Sequence, residues 1–183
     1  MRIKLSLLFA ILSFSWATAQ DTLTGDVKSF GLMKAGATQK ALYLGDSSEQ
    51  ALKILGKPTQ TETLYSEVDD AMMEVWTYHQ SKLYFLKNAL KDFTISDTHL
   101  WVGKARGETF KIGDKLLMHR NGNTKTALFY HYPVTIEKGR SRNIDYTESC
   151  AVTFTINGHW CENFIELLFK DGVLINVGTF TPA

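Results

Sequence analysis

Glu74-Val-Trp-Thr-Tyr-His79, Lys82-Leu-Tyr-Phe-Leu86 and Leu90-Lys-Asp-Phe-Thr-Ile95 follow one another with only a few residues between them. Each stretch is short, alternating, and rich in aromatic and β-branched residues, the pattern of a half-buried strand. Ser81 helps turn the chain after the first, and Lys87-Asn88 turns it again after the second. The three predict an antiparallel meander. Ahead of them, Leu44-Gly45-Asp46-Ser47-Ser48-Glu49 predicts a helix start. Asp46 or Ser47 caps the free amide groups, and Glu49 or Gln50 adds a first-turn acceptor. Ala51, Leu52 and Leu55 fall at helical spacing, Gly56 ends the helix, and Pro58 forbids its return. Thr59 to Met73 is polar and acidic, a loop or an irregular strand.

The pattern recurs. Phe110-Lys-Ile-Gly113-Asp114-Lys115 echoes Tyr43-Leu-Gly45-Asp46-Ser47 at an offset of 68 residues. A short helical run, Lys115 to His119, stops at Asn121-Gly122. Strands follow at Thr126 to Val134, Ala151 to Ile156 and Asn163 to Phe169, and Lys170-Asp171-Gly172 turns the chain into Val173 to Val177. Glu137 to Ser149 carries Gly139, Arg140, Arg142 and Asp145 with few apolar residues and predicts a mobile loop. The expected fold is α+β: two tandem helix-plus-antiparallel-meander repeats, residues 20–96 and 97–183. Together they form one continuous sheet with short helices on one face.

The chain has 183 residues, 44% hydrophobic and 21% charged, enough for one domain or two small lobes sharing a core. It opens Met1-Arg2-Ile3-Lys4, runs apolar from Leu5 to Trp16 and reaches Ala17-Thr18-Ala19. A basic start, a short apolar stretch and a small-x-small end are the parts of a secretory signal. Cleavage is expected after Ala19. Loss of Arg2 and Lys4 leaves 18 of the 20 basic residues against 19 acidic ones, a net charge of −1. No basic field points to nucleic acid. Gln20, not Cys, follows the cleavage site, so no lipid anchor is expected, and no later segment is long and apolar enough to span a membrane. The expected mature protein is a soluble monomer in the periplasm or outside the cell.

Cys150 and Cys161 are the only cysteines, and an oxidising compartment invites a bond between them. Asn157-Gly158 is also the favoured two-residue hairpin turn. That turn would pair Phe154 with Cys161 and leave Cys150 about 13 Å along its strand, beyond the roughly 7 Å that a disulfide allows. Bond and tight turn exclude each other. The expectation is the Cys150–Cys161 bond with a wider loop over Asn157 to Trp160; two free thiols are the alternative.

Residues 44 to 95 resemble the SmpA/OmlA family, small accessory lipoproteins of outer-membrane protein assembly. The resemblance rests on Leu44-Gly45-Asp46-Ser47, Ile54-Leu55-Gly56-Lys57-Pro58, Trp76-Thr77-Tyr78 and the closing pair around Phe85 and Leu90. After Gly113 there is no Leu-Gly-x-Pro and no Trp-x-Tyr. Two such units in tandem look like β-lactamase-inhibitory protein and its fold relatives. The resemblance implies a continuous sheet with helices on one side and a partner protein on the other. It carries architecture further than function.

No catalytic constellation emerges. His79, His99, His119, His131 and His159 are scattered, and His159-x-Cys161 with Glu162 lacks a second ligand pair at zinc spacing. Asp69-Asp70 reads as a solvated acidic turn. Arg140 and Arg142 have the chemistry to grip a carboxylate or phosphate, but on a loop they more often face water. No cofactor, metal or catalytic residue is expected. The aromatic residues are the remaining signal. Leu83 and Phe85 point to the core, so Tyr84 faces outward, and Trp76 and Tyr78 are its candidate companions on an open face. The sequence therefore suggests a non-catalytic module that binds a protein or cell-envelope component through Trp76, Tyr78 and Tyr84. The alternative is a periplasmic hydrolase, which requires a deep pocket holding two histidines or a His–carboxylate pair.

Overall fold

The computed structural model describes residues 24–118, 124–125, 134–156 and 159–180, with backbone alone at 24–25, 117–118, 124–125, 156, 160–163 and 180. The expected leader 1–19, the Asn121-Gly122 stop, the Asn157-Gly158 turn and nearly all of the expected strand Thr126 to Val134 lie outside the described residues, as does the Cys161 side chain.

The chain runs β1 (Thr24–Asp26), a 3-10 turn (Val27–Ser29), β2 (Gly31–Lys34), α1 (Ser48–Leu55), β3 (Gln60–Ser66), β4 (Ala71–Tyr78), β5 (Ser81–Leu86) and β6 (Ala89–Ile95). It continues through β7 (Leu100–Gly103), β8 (Thr109–Phe110), β9 (Leu117–Met118), β10 (Thr124–Lys125), β11 (Thr135–Ser141), β12 (Ile144–Ile156), β13 (His159–Lys170) and β14 (Val173–Phe180). The expected α+β class is thereby corrected. The protein is mostly β, and α1 is the one α-helix among the described residues.

The helical run expected from Lys115 to His119 does not form over its described residues 115–118, and the cause is local. Both Gly-Asp turns are built alike. The Asp46 carboxylate accepts from the Tyr43 N–H at 2.8 Å, and Asp114 accepts from the Lys111 N–H at 2.9 Å. The Gly45 N–H donates to the Leu90 carbonyl and the Leu90 N–H to the Asp46 carbonyl, as Gly113, Leu174 and Asp114 do in the other turn. Gly45 and Gly113 take φ of 90° and 94°, which side chains rarely adopt. After Asp46 comes Ser47, whose hydroxyl accepts from the Gln50 N–H while the Gln50 side chain accepts from the Ser47 N–H, a complete capping box. After Asp114 comes Lys115, with Met118 three positions on; neither side chain can make that box. Lys115 bridges Val173 instead, and Leu117–Met118 is extended.

Two antiparallel meanders, β3–β4–β5–β6 and β11–β12–β13–β14, meet edge to edge where β6 pairs β14, with Ile95 opposite Val177 and Thr94 opposite Gly178. β1 adds in parallel to the far end of β12. β2, β7 and β8 form a separate three-stranded sheet, and β9 pairs β10. The expected loop at Glu137 to Ser149 is in fact the hairpin of β11 and β12. Its turn Arg142-Asn143 has φ of 48° and 64°, left-handed at both positions as a type I′ hairpin turn requires.

Register sorts the long sheet into two faces. On the core face stand Leu83, Phe85, Phe93, Ile95, Cys150, Val152, Ile165, Leu167, Phe169 and Val177. They form one cluster with Leu32, Leu42, Leu100, Val102 and Phe110 around the small sheet and with Ala51 and Leu55 of α1. The core thus lies between the long sheet and a layer made of α1 and β2–β7–β8.

The expected disulfide is also corrected. Ile156 pairs His159, the register of the tight turn, and Cys150 lies opposite Leu167. Leu167 is six positions from Cys161, about 20 Å at the strand rise, far beyond disulfide reach. Cys150 is a free, buried thiol. Burial pushes its pKa up to about 12.

Candidate functional site

The three aromatic candidates divide between the faces. Trp76 pairs Leu83, and Leu83 pairs Phe93, all on the core face; Tyr78 pairs Ser81 on the same side. Trp76 is 7% exposed and Tyr78 5%. The Trp76 ring packs on Phe85 with centroids 4.8 Å apart, and the Tyr78 hydroxyl donates to the Gly56 carbonyl at 2.9 Å. Neither stands on the open face with Tyr84, which corrects that placement for two of the three expected binding residues. Tyr84 stands alone on the opposite face, half-buried between Val75 and Asp92.

One row of that face crosses five strands: Thr77, Lys82, Thr94, Gly178 and Glu166 lie side by side on β4, β5, β6, β14 and β13. Gly178 is the low point of the row. A Cβ there would meet Arg142 Nη1 at 1.9 Å, so glycine alone lets the guanidinium lie on the sheet. The tip of the β11–β12 hairpin folds back over this face to deliver it. Arg142 Nη2 donates to Glu166 Oε2 at 3.1 Å and to Asn176 Oδ1 at 2.9 Å, and Nη1 donates to the Thr179 carbonyl at 3.2 Å. Asn176 passes the network on to Ser96 Oγ at 2.9 Å, and the Ser141 hydroxyl donates to Glu166 at 2.7 Å. Arg142 Nε is buried with no partner among the described residues.

Asp92 lies beside this network. Burial pushes its carboxyl up to about 6, against the opposing pull of the Phe93 N–H and of the Arg142 and Lys91 charges. Burial also raises the Tyr84 hydroxyl, with Lys82 and Arg142 lowering it and Asp92 and Glu62 raising it further. Lys82 Nζ pairs Glu62 Oε1 at 3.4 Å on the rim. The outcome is an aromatic ring with a polar tip, set between a rim ion pair and a half-buried Asp92–Arg142 group. Such an arrangement suits recognition: flat area from the ring, directed donors and acceptors around it.

A second group forms at the end of β4. Asp97 accepts from the Gln80 N–H at 2.8 Å, the Ser81 hydroxyl at 3.0 Å and the His99 N–H at 2.8 Å, and its Oδ1 lies 3.0 Å from His99 Nδ1. Burial alone would raise this carboxyl. The bonds from His99, Gln80 and Ser81 outweigh burial and hold it below the ordinary value. Tying two turns to one carboxylate stacks His79 on His99, ring centroids 3.6 Å apart and planes 13° from parallel. The two rings line a pocket of about 220 Å³ with Lys34, Lys57, Leu55, Tyr78 and Leu100. Nothing in the local sequence spacing pairs these histidines; twenty residues separate them. Among the described residues no group of three His, Cys, Asp or Glu side chains could hold a metal ion. No described helix is long and apolar enough to cross a membrane.

Comparison with family models, with curated proteins and with solved structures finds no match. It therefore adds nothing to the resemblance read from residues 44 to 95.

Proposed function

We propose that this chain is a non-catalytic binding module, working in the periplasm or outside the cell, that recognises a protein or envelope component through the face bearing Tyr84. The observation that carries the reading is the position of Tyr84. It stands half-buried on the face away from the core cluster, flanked by Lys82, Glu62, Asp92 and Arg142. The β11–β12 tip occupies the β13–β14 half of this face, while Thr77, Lys82 and Tyr84 keep access to solvent. Tyrosine offers large contact area at low entropic cost, and charged neighbours supply selectivity. The test is Tyr84→Ala. It should cost under about 2 kcal/mol of stability, below the ~3–5 kcal/mol for emptying a core aromatic site. It should also weaken capture of partners from envelope extract. A core-sized stability loss, or unchanged capture, would remove the reading.

A second reading, a periplasmic hydrolase, is favoured by one observation. The pocket at the end of β4 holds two histidines, and His99 pairs a carboxylate that orients its ring. A His–Asp pair can serve as a general base toward water. Hydrolysis of ester or phosphoester probes that disappears in His99→Gln would favour this reading over the first.

A further inference from the structure

The pocket at the end of β4 has a composition that the Tyr84 reading does not use, and its two lysines serve no part of the hydrolase reading. We infer that Lys34, Lys57, His79 and His99 form a site for a small organic oxyanion, a phosphate or carboxylate head carrying a compact apolar body.

Four segments bring the four basic side chains together: β2 ends in Lys34, the connection after α1 carries Lys57, and the turns joining β4–β5 and β6–β7 carry the histidines. All four are exposed, and no carboxylate is among the pocket's lining residues. Asp97, the acid bonded to this group, directs its oxygens at Gln80, Ser81 and His99. Neither Lys34 nor Lys57 has an ion-pair partner among the described residues. Gathering the Lys34 and Lys57 ammonium groups around one cavity is unfavourable in the free protein and is relieved when an anion enters. The floor is apolar: Leu55, Tyr78 and Leu100 are all buried. A pocket of about 220 Å³ has room for about seven waters' worth of ligand, below the size of drug-like sites. Basic rim, apolar floor and small volume together specify one oxyanion head with a ring-sized body.

The His79 turn holds one wall of the pocket in place. His79 takes φ of 55°, a left-handed conformation that costs on the order of 1 kcal/mol for a residue with a side chain. Asp97 holds the adjoining Gln80 N–H and so fixes this turn, which keeps the His79 ring against His99 and over the pocket.

The experiment titrates the full chain with phenyl phosphate, benzoate and inorganic phosphate, following the imidazole proton signals by NMR and the heat by calorimetry. Phenyl phosphate or benzoate should bind saturably at one site. Inorganic phosphate should bind more weakly, because it lacks the apolar body. Lys57→Met and His99→Gln should each weaken binding by roughly tenfold and more together. Lys34→Met is the second cation test, and all three positions are exposed, so the fold should hold. Tyr84→Ala should leave this binding unchanged, which separates the site from the face. No saturable change with either organic anion would overturn the proposal, as would binding that survives Lys57→Met combined with His99→Gln.

Discussion

Replacing Asp92 by Asn should make the protein more stable at neutral pH. The carboxyl is raised from 3.8 to about 6, chiefly by burial. The native state therefore holds its proton more tightly than the unfolded chain. The stability tied to that proton is fully present below about pH 4, falls as pH rises through the window from about 4 to 6, and is gone above it. A shift of about 2 units corresponds to ~3 kcal/mol at pH 7. Asn keeps the oxygen that accepts from the Phe93 N–H at 2.6 Å and removes the charge. It also loses the attraction of Arg142, already included in the net shift, and places an amide near the guanidinium. The expected gain is about 1–3 kcal/mol at pH 7 and near zero at pH 4. Urea unfolding of both proteins from pH 4 to 7.5 supplies the test. The difference curve is the quantity to read, because other carboxylates have the opposite sign. Asp97 is held low, so its contribution is present at neutral pH and lost as pH falls. A difference flat across the window, or a variant less stable at pH 7, would show that Asp92 is not desolvated in its place beside the Arg142 network.

Three further outcomes follow from the same structure. Arg142→Ala should cost about 2–4 kcal/mol in urea unfolding, since it strands Glu166 and Asn176 beneath the β11–β12 tip. Ser47→Ala should lose about 1 kcal/mol of stability, checked by thermal melts, because it removes the hydroxyl that closes the cap of α1. Cys150 should react with a thiol reagent in denatured, unreduced protein and very slowly in the native state, since it is unbonded, buried, and raised to about 12; a bonded Cys150 would contradict the register of β12 and β13.

Much of the fold was legible because it is local. The capped start at Ser47, the stop at Gly56 and the turns at Lys87-Asn88 and Asp171-Gly172 all occur where residue chemistry places them. The Gly-Asp echo was legible too, and its meaning is now physical: each aspartate folds its own turn and ties it to the first residues of the last strand of a meander. The class failed on the residue after that echo. A serine there begins a helix and a lysine does not, and tandem similarity concealed the difference. The β11–β12 hairpin failed for another reason. Its pairing is mostly backbone, and apart from Ile136 the β11 residues Thr135 to Ser141 carry almost no apolar signal.

Site parity turned on single residues in turns. Tyr84 was placed outward because Leu83 and Phe85 point inward within one unbroken stretch of β5, and alternation cannot fail there. Trp76 and Tyr78 required the length of the β4–β5 turn as well. A three-residue connection would set Trp76 opposite Tyr84 and place both on one face. The actual connection is His79-Gln80, so Tyr78 meets Ser81 and Trp76 meets Leu83. The same arithmetic decides the cysteines, where pairing Ile156 with His159 carries Cys150 away from Cys161. The histidine group needed more than parity. Asp97 joins two turns distant in sequence, and only the closed β4–β5–β6 meander brings His79 against His99. Short-range spacing therefore reveals caps and turns, whereas a pocket whose walls come from four connections becomes visible only once register is known.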